Sequence, residues 1–298
     1  MSAPRVSVVV PAYHSEGRIG ACLTALARQT LPAHEVIVVN SSEEEPTRAR
    51  VEVVEHPDAR FTQSPVRLLP HDARNVGARQ ARAPFLVFTD PDCVATDDWL
   101  ARLVERAEAG ERAVAGAVVP DTDAAGKVAG AFACKFRAVL PGGPAVRAFG
   151  QTANLLVERD AFERVGGFRP RLFSADVALC VDLRRGGIRV AFEPGAVVRH
   201  GYDADLGSFL RERLARGVDF GRVRPELEGW STRRTAAQVL ATPLAGGRAT
   251  AATLRAAAAA GLRLGLGGSA TVLAGQLAWV AGEAVGYAGA IRSAPATV

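Results

Sequence analysis

At 298 residues the chain can hold one or two domains with a sizeable core, and 48% hydrophobic with 22% charged residues excludes a disordered or low-complexity protein. The formal net charge of +5 and the pI near 9.4 come from arginine, since Lys127 and Lys135 are the only lysines; guanidinium forks suit phosphate, although arginine-rich coding bias gives the same balance. Cys22, Cys93, Cys134 and Cys180 form no Cys-x-x-Cys pair, which argues against a zinc knuckle, a thioredoxin-like site or a disulfide scaffold and fits a reducing cytosol.

The N-terminus runs directly into apolar residues without a leader pattern, so the catalytic part is expected to face the cytoplasm. Residues 6–10 are a β-branched run and predict a strand; 17–29 then shows helical spacing through Ile19, Leu23 and Leu26, and a second strand is expected over 35–39. Further strands are expected at 51–54 and 85–89, with helices over 72–82 and 99–107. This alternation predicts an α/β fold with a mainly parallel sheet, helices on both faces and ligands beyond the carboxyl ends of the strands. Pro11-Ala12-Tyr13, Asn40-Ser41-Ser42 and Asp90-Pro91-Asp92 would share that rim. In the second half, 113–119 is apolar, 121–145 is rich in Gly, Ala and Pro with a specificity loop expected over 120–144, and a short strand is expected at 154–158. Paired glycines close the segment 162–168, and a helix through Leu179 and Leu183 stops at Gly186-Gly187.

The strand ending at Thr89 runs straight into Asp90 and Asp92, and acids at the tip of a buried strand call for a cation or ligand hydroxyls. A solvated turn is the bland alternative for an Asp-x-Asp alone. No Gly-x-Gly-x-x-Gly and no P-loop follows a strand, so a diphosphate would have to be held by a divalent cation, Mg²⁺ or Mn²⁺, on Asp92. Asp176 lies near a helix start, where a cap is its simplest use. His14, His34, His56 and His71 have no ligand spacing, and Cys93 reads as a small buried residue rather than a nucleophile.

Taken in order, Ser7-Val-Val-Val-Pro-Ala-Tyr13, Glu35-Val-Ile-Val-Val39, Ala73-Arg-Asn-Val-Gly77, Phe88-Thr-Asp-Pro-Asp92, Asn154 with Arg159, Val165-Gly-Gly-Phe168, Asp176-x-x-Leu179 and Pro194-x-Ala-Val-Val-Arg-His200 resemble the family 2 glycosyltransferases, which invert and have the GT-A fold. The resemblance implies a nucleobase pocket at Pro11, Ala12 and Tyr13, with Asn40 and Arg74 on the nucleotide side, Asp90 on the nucleoside and Asp92 on the metal. His200 would complete the metal site, Asn154 would help shape the acceptor side, and Asp176 would be the general base. Departures are the usual two acids replaced at Asn40-Ser41-Ser42, Ala175 and Ala178 at acid positions around Asp176, and the missing Gln-x-x-Arg-Trp box. Arg213, Arg216 and Arg222 lie in the region that would meet diphosphate, or form a solvated helix face.

A GT-A catalytic domain is therefore expected over 1–225, with an Ala/Gly-rich helical extension over 226–298. Residues 264–282 carry no charge, and Arg248, Arg255 and Arg263 precede them, a pattern for anchoring to anionic lipid, a membrane-inserted hairpin, or a packed helical pair. The expected partners are a nucleotide-sugar donor and a glycan, lipid-linked or small-molecule acceptor, with a membrane surface and self-association as further options and no nucleic acid. A sugar nucleotidylyltransferase and a weakened GT-A domain serving as a scaffold are the rival readings.

Overall fold

The computed structural model describes residues 6–42, 59–142, 145–147, 149–170, 172, 174–202 and 205–293; the strand expected at 51–54 falls outside them. In chain order the elements are β1 (Val6–Ala12), α1 (Ile19–Ala27), β2 (Glu35–Asn40), β3 (Ala59–Gln63), α2 (Pro70–Gln80), β4 (Phe85–Thr89), β5 (Cys93–Ala95), α3 (Trp99–Glu108), β6 (Ala113–Pro120), α4 (Gly126–Phe136), β7 (Val146–Arg147), β8 (Asn154–Glu158), α5 (Arg159–Arg164), α6 (Ala175–Arg185), β9 (Val190–His200), α7 (Leu206–Glu228), α8 (Thr232–Ala259) and α9 (Gly265–Ser293). They divide into two units, one of Met1–Asp121 with Gly143–Gly201 and one of Thr122–Gly142 with Tyr202–Val298. This boundary differs from the expected break at 225/226. α7 goes with the later helices because its glycines pack on α9, and the loop expected over 120–144 contains α4.

In the first unit, the described strands form one sheet in the order β3-β2-β1-β4-β8-β6-β9-β5, with β7 on β9. β1, β2 and β4 are buried along their whole length, as continuous apolar runs in a covered sheet should be. Pro70 opens α2, where the missing N–H costs no hydrogen bond, and Gly77 lets that helix sit directly on Val9 of β1. α3 turns Trp99, Leu100, Leu103, Val104 and Ala107 into the core at helical spacing.

The parallel arrangement covers β3-β2-β1-β4; beyond it the sheet is mixed, because β8 enters antiparallel to both β4 and β6. That reversal sets Asn154 opposite Thr89, beside the tip of β4. At the far edge β5 runs antiparallel to β9 and pairs Cys93 with His200. Between β6 and β9 the register shifts after Gly116, whose partner is Glu193, while the next residue Ala117 faces Val197. Residues 194–196 thus bulge out of the ladder.

In the second unit, Asp205 caps α7 by accepting from the Ser208 N–H at 3.0 Å, Gly229 ends it at φ 64°, and Ser231 caps α8. α7 and α9 meet backbone to backbone: a Cβ on Gly217, Gly221, Gly282 or Gly286 would overlap a main-chain oxygen of the other helix. The Gly-x-x-x-Gly spacing, 217 with 221 and 282 with 286, accounts for the composition of this region. No described helix is long and apolar enough to cross a membrane. Of the alternatives open for 264–282, the packed helical pair agrees with what α9 buries: Gln276 and Glu283, which bind Arg213 at 3.3 Å and Arg224 at 3.2 Å. Arg213 also stacks on Trp279 at 4.2 Å, and burial lowers its pKa to about 10; Arg216 pairs with Glu212 at 2.7 Å.

Candidate functional site

Because β1, β2 and β4 are parallel neighbours, their carboxyl ends open on one rim. The Ser41 N–H donates to the Ala12 carbonyl at 2.9 Å, and His14 Nδ1 lies 3.3 Å from Ser42 Oγ. His14 is the only non-glycine residue with positive φ among the described residues, at 47°, a conformation found where a loop is constrained around a site. Pro11 and Ala12 are buried beneath this loop, whereas Tyr13 is exposed and carries the Arg67 guanidinium 4.4 Å above its ring.

Asp90 and Asp92 follow β4, and the β5–β9 pairing brings His200 to them. His200 Nε2 lies 3.4 Å from Asp92 Oδ1 and 3.8 Å from Asp90 Oδ2. Its Nδ1 is 2.6 Å from the Gly201 carbonyl, a contact that requires Nδ1 to donate and leaves the Nε2 lone pair of the neutral ring facing the acids. Ligand atoms of Asp90, Asp92, Cys93 and His200 lie within 4.8 Å of one another. The two carboxylates are hard oxygen donors suited to Mn²⁺ or Mg²⁺, and the imidazole is a borderline nitrogen donor that Mn²⁺ accepts more readily. Cys93 is a poor fourth ligand: its thiol points to the Ala153 carbonyl at 3.7 Å, and burial, then Asp90 and Asp92, push its pKa well up. Its buried thiol is not that of a nucleophile.

Arginines flank the acids. Arg18 Nη1 lies 3.9 Å from Asp92 Oδ2, and Arg74 pairs with Asp90 Oδ1 while its other terminal nitrogen is 3.3 Å from His71 Nδ1. The Arg74 side chain is only 3% exposed, so it sits behind Asp90 and holds it. Two other expected ligand contacts are engaged within the protein. Asn40 is buried, donates to Gln63 Oε1 at 2.8 Å and accepts from the Ser42 N–H at 3.4 Å, so its carbonyl oxygen shapes the loop. Asn154 is 0% exposed and uses all its polar atoms: Oδ1 accepts from Trp99 Nε1 at 2.8 Å, and Nδ2 donates to the Ala117 and Ala196 carbonyls at 2.9 and 2.8 Å. It bridges the bulge from which β9 continues to His200.

Asp176 lies in the first turn of α6, half-buried, and accepts from the Val177 N–H at 2.8 Å. A helix N-terminus favours the ionised carboxylate. Arg67, Arg18, His71 and Gly116 were not singled out as site residues in the sequence. Gly116 alone carried a signal, since a glycine inside an apolar strand marks a close approach, here of the Asn154 amide.

The sheet order, the acid pair at the tip of β4 and the histidine returned by β9 define a GT-A-type domain. Residues 7–166 match the family model for Glycosyl transferase family 2, and the chain belongs to that family. Among relatives it is 30% identical over 176 residues to glycosyltransferase AglE of Haloferax volcanii, covering 57% of this chain and 58% of that protein. It is also 28% identical over 107 residues, 34% of this chain and 38% of the relative, to WfgD of Escherichia coli, a UDP-Glc:alpha-D-GlcNAc-diphosphoundecaprenol beta-1,3-glucosyltransferase. Its fold is similar to that of the mannosyltransferase PcManGT from Pyrobaculum calidifontis, solved with GDP-Man and Mn²⁺, with a TM-score of 0.57, 23% identity and coverage of 74% of this chain and 63% of that one. The same fold is found in S. aureus TarS 1-349 with UDP-GlcNAc, at a TM-score of 0.54, 17% identity and coverage of 72% and 66%.

Proposed function

We propose that the protein is an inverting, divalent-metal-dependent glycosyltransferase that moves a sugar from a nucleoside-diphosphate sugar to an acceptor hydroxyl on a lipid-linked, cell-envelope or natural-product glycan. The observation that carries this reading is the convergence of Asp90, Asp92 and the Nε2 of His200 at the carboxyl end of β4. Mn²⁺ or Mg²⁺ bound there would offset the negative charge that develops on the leaving diphosphate.

The chain's own residues supply the rest. Arg74 fixes one oxygen of Asp90 and leaves the other facing His200, and the Gly201 carbonyl fixes the imidazole tautomer. Tyr13, with Arg67 over one face, offers an aromatic surface at the rim for the nucleobase. Asp176, in the first turn of α6, takes the proton of the acceptor hydroxyl as that oxygen attacks the anomeric carbon from the side opposite the leaving group. A single general base with in-line attack corresponds to inversion. The glucosyltransferase relative, whose name specifies a diphosphoundecaprenol-linked acceptor, favours a lipid-linked acceptor.

Thermal denaturation with nucleoside diphosphates and nucleotide sugars, each with and without Mn²⁺, tests the donor site, because a ligand that binds the native state raises its melting temperature. A Mn²⁺-dependent rise with one nucleotide, lost in a folded Asp92→Ala variant, is expected. Asp176→Asn should keep that rise and lose turnover. A folded protein that responds to none of the nucleotides would instead be a non-catalytic binding domain.

A further inference from the structure

The second unit turns its leucines outward. Along α8 the buried residues are Thr235, Gly246, Thr253 and Ala257, whereas Leu240 and Leu244 are 84% and 59% exposed. α9 repeats the inversion. Leu266, Leu273, Leu277 and Val285 are exposed at helical spacing, Leu266 to 93%, with exposed Ala270 and Ala281 in the same stripe, while Thr271, Gln276, Glu283 and Tyr287 face inward. A helix on a water-soluble domain ordinarily does the reverse. Gly246 of α8 lies against Leu277 and Val280 of α9, so the two apolar stripes run side by side there. An exposed apolar face shared by two helices marks an interaction surface.

Charge identifies what covers it. From Gly229 to Gly282 the chain has five arginines, Arg233, Arg234, Arg248, Arg255 and Arg263, and no acid, which equals the formal net charge of the whole protein, +5. All five are exposed, and Arg248 and Arg255 continue the α8 stripe that contains Leu240 and Leu244. A second copy on this face would bring like charge against like charge. An anionic surface with an apolar interior matches both features, and no described helix is built to pass through it.

We propose that the exposed face of α8 and α9 is a docking surface for an anionic lipid bilayer. Both helices lie in the plane of the interface, their leucines among the upper acyl chains and their arginines at the lipid phosphates. The proposal rests on residues 229–285 alone and stands or falls separately from the donor-site reading.

The test is co-sedimentation of the full chain with vesicles of phosphatidylcholine and with vesicles of equimolar phosphatidylcholine and phosphatidylglycerol, alongside its oligomeric state by light scattering. Binding to the anionic vesicles should be stronger by about tenfold or more and should weaken with salt, as expected where each arginine near the surface adds to attraction. Leu240→Gln with Leu244→Gln, and separately Arg248→Gln with Arg255→Gln, should each reduce binding by about tenfold or more, through lost apolar insertion and lost charge respectively. Circular dichroism and the melting temperature should stay unchanged in both. Equal binding to neutral vesicles, no binding to anionic ones, or a dimer that the leucine variant dissociates while the vesicles stay bare would overturn the proposal.

Discussion

Replacing Asn154 by alanine separates two accounts of this residue. If it contacts the acceptor, the change alters acceptor KM and leaves folding alone. The geometry gives the opposite expectation. The side chain is 0% exposed and makes three hydrogen bonds of 2.8–2.9 Å, to the Trp99 indole and to carbonyls of β6 and β9 at the one place where their ladder is interrupted. Alanine leaves a buried N–H and two carbonyls short of a partner, at about 1–3 kcal/mol each where no water enters. Allowing for relaxation at the bulge, we expect a loss of roughly 3–6 kcal/mol, which lowers the melting temperature of a domain of this size by the order of 10 °C or more. Urea unfolding, followed by fluorescence and circular dichroism, measures it. Asn154→Asp should be at least as damaging, because it turns an acceptor toward the Ala117 and Ala196 carbonyls. An unchanged melting temperature together with an acceptor-specific rise in KM would refute the bracing role.

Gly217→Val places side-chain atoms against the Trp279 main chain, where neither helix backbone can yield, so a destabilisation of about 3 kcal/mol or more is expected in thermal melts. Arg224→Met leaves Glu283 buried beside Tyr287, and because Arg224 is itself partly exposed the expected cost is about 1–3 kcal/mol near neutral pH, below that of a fully buried pair. Burial already raises the Glu283 pKa, so the folded state holds its proton to higher pH than the unfolded chain does. The stability of the variant should therefore recover as pH falls through that raised value, which melts at a series of pH values will show. Cys22 and Cys180 are pushed up to about 12, in both cases mainly by burial, so at about pH 8 the native protein should resist thiol reagents that label it readily in urea.

The strands over 85–89 and 154–158 were legible residue for residue, since each is a short apolar run with abrupt polar ends. The acid pair and His200 could be named from the chain, but their meeting depends on β5 and β9 pairing antiparallel, and nothing local in Cys93-Val94-Ala95 announces that partner. The mixed half of the sheet was hidden for the same reason: the direction in which β8 enters is a tertiary outcome. α4 was missed because Gly126, Ala129, Gly130, Ala131 and Ala133 give a weak helical pattern, and those small residues are used for close packing, with Gly130 against Gly268. The polar residues Asn40, Arg74 and Asn154 could be picked out in the chain, but not what they bind. Their burial, which makes them supports of the site, depends on the packing of Gln63, Asp90 and Trp99 around them.

Arg74 tests whether the support beneath Asp90 acts by charge or by shape. Its guanidinium binds Asp90 Oδ1 with one terminal nitrogen and lies beside His71 Nδ1 with the other, so the position of Asp90 is fixed by a planar fork anchored at two points. Lysine keeps the charge but offers a single ammonium that cannot hold both partners at this spacing. Arg74→Lys should therefore remain folded and lose most of the Mn²⁺-dependent thermal rise with nucleotide, because the Asp90 oxygen near His200 is no longer held in place. Arg74→Met should lose the same rise and in addition be less stable by about 1–3 kcal/mol, the cost of a half-buried carboxylate left without its cation. A full nucleotide response in the lysine variant would show that the positive charge suffices and would remove the fork from the account of the site.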